Sequence, residues 1–121
     1  MASILLVDDD HSMLIFIEKA LKHAGYKVTT AHNGSEALDI IAASTDTKFD
    51  LLLTDIIMPG MDGVLLSQKV MKNYPDLKVM FMTGFSAITM NTKNLNQDVK
   101  MMSKPFHLND LIDQIEKTLN S

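Results

Sequence analysis

The sequence predicts an α/β protein in which helices cover both faces of a five-stranded parallel sheet. Apolar runs alternate five times along the chain with segments of helical periodicity. Runs such as "SILLV" and "FDLLLT" are apolar at successive positions, so both faces of these strands are expected to be buried. The length of 121 residues suits one domain. We therefore expect a doubly wound fold, a single domain over residues 1–121 and no effector domain.

The first unit is a strand at 3–7 followed by a helix at 10–25, which Gly25 closes. At 100° per residue, one face of this helix carries Met13, Ile17, Ala20 and Ala24, with Phe16 and Leu21 on its edges. Ile15 falls on the opposite face.

The next two units have clear start and stop signals. A strand at 26–31 precedes "SEALDIIAAS", for which Asn33 and Glu36 form a candidate capping box. A strand at 49–54 precedes a helix at 62–74, and Pro75 ends that helix.

The last two units differ in quality. Strands are predicted at 77–83 and 99–103, but residues 86–98 between them are rich in Asn and Thr, which predicts a short or irregular helix. The final helix, 107–119, carries a single apolar face made of Leu108, Leu111, Ile112, Ile115 and Leu119.

Composition excludes several classes of function. The net charge of −4 argues against nucleic acid and anionic membrane as main partners. No apolar run is long enough for a membrane span. The absence of cysteine excludes disulfides and thiolate metal sites and fits a cytoplasmic protein.

Polar residues collect where the predicted strands end. Ligands of doubly wound sheets bind beyond the carboxyl ends of the strands, so residues distant in sequence are expected to meet at one edge. These residues are Asp8, Asp9 and Asp10 after the first strand, Asp55 after the third, Thr83 at the end of the fourth and Lys104 after the fifth.

Each of these residues has an ordinary structural explanation when taken alone; Asp10, for example, is expected to cap a helix. Taken together they indicate a cation site, because clustered carboxylates repel one another unless a cation lies among them. Oxygen-only ligands favour Mg²⁺ or Mn²⁺. With the ammonium of Lys104 and the hydroxyl of Thr83 opposite, the set is typical of phosphoryl transfer.

The four histidines, at positions 11, 23, 32 and 107, have no metal-binding spacing and are interpreted as surface residues. The chain has no G-x-x-x-x-G-K-[ST] motif, so nucleotide binding of that kind has no support.

The stretches "LLVDDD", "LLLTDIIMPGMDG", "VMFMTG" and "SKPF", in this order, resemble the response-regulator receiver domain of two-component signalling. The resemblance covers the whole chain and implies the flavodoxin-like (βα)₅ fold with strand order 2-1-3-4-5. It implies that Asp55 accepts a phosphoryl group from a histidine kinase or histidine phosphotransferase. It also implies no enzyme activity beyond Mg²⁺-dependent self-phosphorylation from a phosphodonor and slow autodephosphorylation.

Further roles carry over by position. Asp9 resembles the direct Mg²⁺ ligand of the family and Asp8 the ligand that acts through water, and the backbone carbonyl of Ile57 is expected to complete the protein ligands. Thr83 resembles the switch hydroxyl and Lys104 the lysine that contacts the phosphoryl group.

Three positions depart from the family pattern. The switch aromatic of the family lies three residues before the lysine, where this chain has Met101. Ile57 and Phe85 are apolar at the positions that control dephosphorylation, so neither can hold the hydrolytic water by a hydrogen bond.

The resemblance also implies a docking surface. In receivers that bind a kinase helical bundle, contacts come from the first helix and from the loop after the fifth strand. The corresponding residues are Met13, Ile15, Phe16, Pro105 and Phe106. We expect a monomer or weak dimer.

A narrower resemblance rests on "DLKVMFMTGFSA" and "SKPFHLNDLI". These stretches are similar to single-domain receivers of alphaproteobacteria that, when unphosphorylated, direct the ClpXP protease to the cell pole and prime it for substrates. The sequence leaves two alternatives open: an intermediate in a phosphorelay, and an interaction module that acts without phosphorylation.

Overall fold

The structure is a computed structural model that describes residues 2–43, 48–83, 100–103 and 107–120, with positions 83 and 100–103 described for the backbone. Within these ranges the strands are β1 (Ser3–Val7), β2 (Lys27–Ala31), β3 (Leu51–Asp55), β4 (Lys78–Thr83) and β5 (Lys100–Ser103). The helices are α1 (His11–His23), α2 (Gly34–Ala43), α3 (Gly63–Asn73) and α4 (Leu108–Leu119).

The five strands form one sheet in the order β2-β1-β3-β4-β5, and every neighbouring pair is parallel. The predicted fold class and strand order are therefore confirmed. The third strand is shifted relative to its prediction: it begins at Leu51 and includes Asp55, so this carboxylate belongs to the last residue of the strand. The predicted segment 86–98 lies outside the described residues.

Two apolar layers enclose the sheet, because successive side chains of a strand point to opposite faces. Leu5 and Val7 of β1 pack in the layer beneath α2 and α3. Ile4 and Leu6 pack in the layer beneath α1 and α4. All five residues of β1 and all five of β3 are buried, which explains why these central strands read as continuous apolar runs.

The helix faces were predicted with unequal success. On α4 the predicted face is confirmed: Leu111 and Ile115 are buried, and Leu108, Ile112 and Leu119 pack against the same layer. On α1 the predicted apolar face is centred at the wrong position around the helix. The buried residues of α1 are Leu14, Ile17 and Leu21.

The buried face of α1 is thus rotated from the predicted one, and this changes the exposure of the other apolar residues on and just after α1. Met13 lies at the margin of the layer, and Ala24 is exposed. Phe16, predicted at the edge of the buried face, has 56% of its surface exposed.

None of the helices in the described ranges has the length and apolar composition needed to span a bilayer.

Candidate functional site

The sheet register brings Asp8 and Asp55 to the same level. Val7 pairs with Thr54, so the next residues of the two segments, Asp8 just after β1 and Asp55 at the end of β3, lie side by side. Ala31 of β2 also pairs with Val7, and its carbonyl accepts a hydrogen bond from the N–H of Asp8 at 3.2 Å. The central strands thus deliver two carboxylates to one point of the carboxyl edge, as the fold rule predicts.

Three carboxylates meet at this point. One carboxylate oxygen each from Asp8, Asp9 and Asp55 lies within 4.8 Å of the other two. Asp8 is fully buried, Asp55 is 8% exposed, and Asp9 is exposed at the mouth of the cluster. Negative charges held this close in a largely buried site repel strongly, and a hard divalent cation relieves that repulsion. The donor set therefore fits Mg²⁺.

The third aspartate of "VDDD" has a different role. The side chain of Asp10 accepts a hydrogen bond from the N–H of Met13 at 3.1 Å and so caps α1. Its own N–H donates to Oδ1 of Asp8 at 2.9 Å. The structural interpretation of Asp10 is confirmed, and this cap also orients the Asp8 carboxylate.

The loop after β3 holds Asp55 from the other side. The N–H of Ile56 donates to the Met82 carbonyl at 3.1 Å, and the N–H of Gly63 donates to the Ile56 carbonyl at 2.7 Å. Gly60 follows Pro59 and has φ +77°, which a glycine adopts without steric cost. The backbone that carries Asp55 is therefore hydrogen-bonded to a neighbouring strand and to the start of α3.

Gly63 allows that close approach. A Cβ at this position would collide with the backbone carbonyl of Asp55 and lie 3.0 Å from the Cα of Ile56. Ile57, two residues after Asp55, has 44% of its surface exposed.

The remaining predicted site residues are described only in part. Thr83 is the last residue of β4, one position beyond Met82, which pairs with Asp55. Met101 lies in β5 and pairs with Phe81. The side chains of Thr83 and Met101 fall outside the described residues, as do Phe85 and Lys104 entirely.

Of the predicted docking residues, the structure describes those on α1 only. On α1, Met13 packs at the margin of the core, whereas Ile15 and Phe16 are 37% and 56% exposed. Pro105 and Phe106 lie outside the described residues.

A second polar cluster at this edge was missed by sequence reasoning. Nδ1 of His11 lies 3.3 Å from Nε2 of His32, and Nδ1 of His32 lies 3.4 Å from Oε2 of Glu36. Both histidines come shortly after a strand, at the ends of β1 and β2. The edge rule that collected the aspartates could therefore also have brought the histidines together.

Residues 4–116 match the family model of the response regulator receiver domain. The chain belongs to this family. It is 48% identical over 120 residues to the response regulator receiver protein CpdR of Brucella abortus (strain 2308), covering 98% of both chains.

Solved receiver structures agree with the fold. The receiver domain from the hybrid histidine kinase CckA superposes with a TM-score of 0.82 at 30% identity, over 98% of this chain and 99% of that one. The response regulator TrrA of Thermotoga maritima, in its complex with Mg²⁺–BeF, gives a TM-score of 0.82 at 28% identity, over 98% of this chain and 99% of that one.

Membership of the receiver family sets the general role of this chain. It is a receiver module of two-component signalling, a class that interacts with histidine kinases and phosphotransferases. Its cluster of Asp8, Asp9 and Asp55 is compatible with Mg²⁺.

Proposed function

We propose that this receiver is a stand-alone response regulator that accepts a phosphoryl group on Asp55 from a histidine kinase or histidine phosphotransferase. The observation that carries the proposal is the convergence of the Asp8, Asp9 and Asp55 carboxylates within 4.8 Å at the carboxyl edge of the sheet. The likeness to a receiver solved with Mg²⁺–BeF supports a Mg²⁺-dependent reaction.

Each residue has a defined task in this proposal. Mg²⁺ would be held by the carboxylates of Asp9 and Asp55 and by the Ile57 carbonyl, with Asp8 acting through water. When bound, it neutralises charge on the phosphoryl oxygens. A carboxylate oxygen of Asp55 attacks phosphorus, the bond from phosphorus to the donor nitrogen breaks, and the donor imidazole leaves.

Two residues complete the proposed site. The ammonium of Lys104 contacts a phosphoryl oxygen, and the hydroxyl of Thr83 moves toward another. Met101 stands where the family has an aromatic ring. An unbranched thioether adapts to its surroundings in several rotamers, so we propose that phosphorylation causes a graded change here and not the two-position flip of a ring.

The output of the regulator is a change in protein–protein contacts. The 48% identity to CpdR over nearly the full length supports a regulator of that kind, and we propose the ClpXP protease as its target, with the cell pole as a site of action. Two alternative functions make different predictions. A phosphorelay intermediate would pass its phosphoryl group on to a second histidine, and a phosphorylation-independent module would bind the same partners in both states.

Partner capture from the native cytosol, with and without beryllofluoride, tests this output. Beryllofluoride mimics the aspartyl phosphate, so a regulator is expected to retain different partners in the two states. Identical partners in both states would contradict the proposal and favour the phosphorylation-independent module. Onward transfer to a histidine protein, with no other state-dependent partner, would favour the relay.

The exposed part of α1 is expected to form the kinase contact. Ile15→Glu places a charge on the docking surface and should slow phosphotransfer from the cognate donor by about tenfold or more, equal to about 1.4 kcal/mol. Labelling by acetyl phosphate, which needs no docking, should stay unchanged.

Leu65→Glu is the matched control for this prediction. Leu65 on α3 is 43% exposed, close to the 37% of Ile15, but it lies on another helix. Equal rates for Ile15→Glu and wild type would show that Ile15 is not part of the contact.

The phosphorylated protein is expected to be long-lived. Ile57 and Phe85 are apolar and have no group that can hydrogen-bond the attacking water, and we expect them to hinder it by bulk. We expect a half-life on the order of tens of minutes or longer; each tenfold in rate corresponds to about 1.4 kcal/mol of barrier. Ile57→Asn and Phe85→Glu should each shorten this half-life. The decay of the Phos-tag mobility shift with time measures it.

Leu65→Asn is the matched control for Ile57→Asn, because Leu65 on α3 is 43% exposed and Ile57 is 44% exposed. We expect Leu65→Asn to keep the wild-type lifetime. A wild-type half-life of seconds, or unchanged lifetimes in both site variants, would show that these side chains do not control the water.

A further inference from the structure

The imidazoles of His11 and His32 face each other along their ring edges. Nδ1 of His11 and Nε2 of His32 are 3.3 Å apart, the ring centroids are 5.5 Å apart, and the ring planes differ by 17°. The centroid separation exceeds the N···N distance by about two ring radii. The rings therefore lie side by side in nearly one plane, with a nitrogen of each directed at the other, and are not stacked face to face.

Glu36 fixes the orientation of His32. Oε2 of Glu36 lies 3.4 Å from Nδ1 of His32 and also accepts the backbone N–H of His32 at 3.3 Å. The backbone N–H of Glu36 in turn donates to the side chain of Asn33 at 2.8 Å, which ties this carboxylate to the start of α2. With Nδ1–H of His32 donating to Glu36, Nε2 of His32 carries the lone pair that faces His11.

We propose that His11 Nδ1 and His32 Nε2 form a second cation site, selective for Zn²⁺ and similar transition-metal ions and separate from the carboxylate cluster. Two nitrogens bound to a tetrahedral zinc at about 2.0–2.1 Å lie roughly 3.3–3.4 Å apart, which is the observed separation, and a turn of each exposed ring would aim both lone pairs at one ion beside the N···N line. Water completes the coordination, because both histidines are exposed.

The chemistry of the donors separates this site from the carboxylate cluster. Imidazole nitrogen suits zinc, copper and nickel, whereas the oxygen-only donors of Asp8, Asp9 and Asp55 suit magnesium. A carboxylate on the second nitrogen of a metal-binding histidine, here Glu36 on His32, is a recurring feature of zinc sites. For binding, a neutral His11 carries its ring proton on Nε2, which leaves the Nδ1 lone pair for the metal.

An ion at this position would join two loops of the active edge. His11 is the first residue of α1, two residues after Asp9, and His32 directly follows β2. Zn²⁺ would therefore clamp the β1–α1 loop to the β2–α2 loop. This inference does not depend on phosphoryl transfer to Asp55.

Calorimetric titration of the full chain with Zn²⁺, in a large excess of Mg²⁺, tests the proposal. We expect one ion bound per chain, at least tenfold weaker binding in His11→Ala and in His32→Ala, and about tenfold weaker binding in Glu36→Gln. His23→Ala is the matched control: His23 is also exposed, lies at the other end of α1, and should leave binding unchanged.

Two results would overturn the second site. One is the absence of saturable Zn²⁺ binding to wild type. The other is binding that survives in both histidine variants; its loss in Asp9→Asn would then place the ion in the carboxylate cluster. Far-UV circular dichroism of each variant verifies that these exposed substitutions leave the fold intact.

Discussion

Asp55→Asn is expected to abolish phosphorylation of this protein by acetyl phosphate. The substitution replaces the nucleophilic carboxylate by an amide of nearly the same shape, at the end of a fully buried strand. A loss of at least about a thousandfold in labelling rate, or about 4 kcal/mol of barrier, follows if Asp55 is the acceptor. Intact-protein mass spectrometry in Mg²⁺ measures the label.

The same substitution should change how the protein responds to Mg²⁺. Removing one of three clustered charges lowers their repulsion, so Asp55→Asn is expected to be at least as stable as wild type without metal and less stabilised when Mg²⁺ is added. Asp39→Asn makes the same charge change on the exposed side of α2 and should behave as wild type in both assays. Label that persists in Asp55→Asn would rule out this acceptor.

Gly63→Ala is expected to destabilise the fold and to displace Asp55. The added methyl group meets backbone atoms of Asp55 and Ile56, which cannot rotate away as a side chain can. Overpacking of this kind costs about 1–3 kcal/mol. At roughly 3–6 °C per kcal/mol for a domain of this size, the melting temperature should fall clearly. Labelling of Asp55 should also slow, because its carbonyl is part of the collision.

Gly34→Ala is the matched control for this prediction. Gly34 and Gly63 are both buried, and each is the first residue of its helix. A Cβ on Gly34 meets only side-chain atoms of Met61, with Sδ at 2.8 Å and Cβ at 3.0 Å; the flexible thioether can move aside, so we expect a smaller cost than at Gly63. Equal stability and labelling losses in the two variants would show that the contact of Gly63 with Asp55 has no special importance.

The fold was predictable because its central strands are buried on both faces. The continuous apolar runs of β1 and β3 led directly to a parallel sheet with helices on each side. The rotation of α1 was not predictable. Residues 13–17 are five consecutive apolar residues, so periodicity alone could not decide which of them face the sheet. Packing against α4 and the sheet selects Leu14 and Ile17 and leaves Phe16 outside.

The carboxylate cluster was predictable for a related reason. Strand ends share one edge, so Asp8, Asp9 and Asp55 could be brought together from chain order alone, and the structure places their oxygens within 4.8 Å. The distinct role of Asp10 needed its hydrogen bond to Met13. The pairing of His11 with His32 was missed because spacing rules search for ligands close in sequence, and these residues are 21 positions apart.

A crystal structure of the protein with Mg²⁺ and beryllofluoride would show whether Asp55 accepts the phosphoryl group beside a bound metal ion. We expect beryllofluoride on the Asp55 carboxylate and one Mg²⁺ coordinated by Asp9, Asp55 and the Ile57 carbonyl, with Asp8 reaching the ion through water. Beryllofluoride bound to another residue, or Mg²⁺ bound away from Asp8, Asp9 and Asp55, would contradict it.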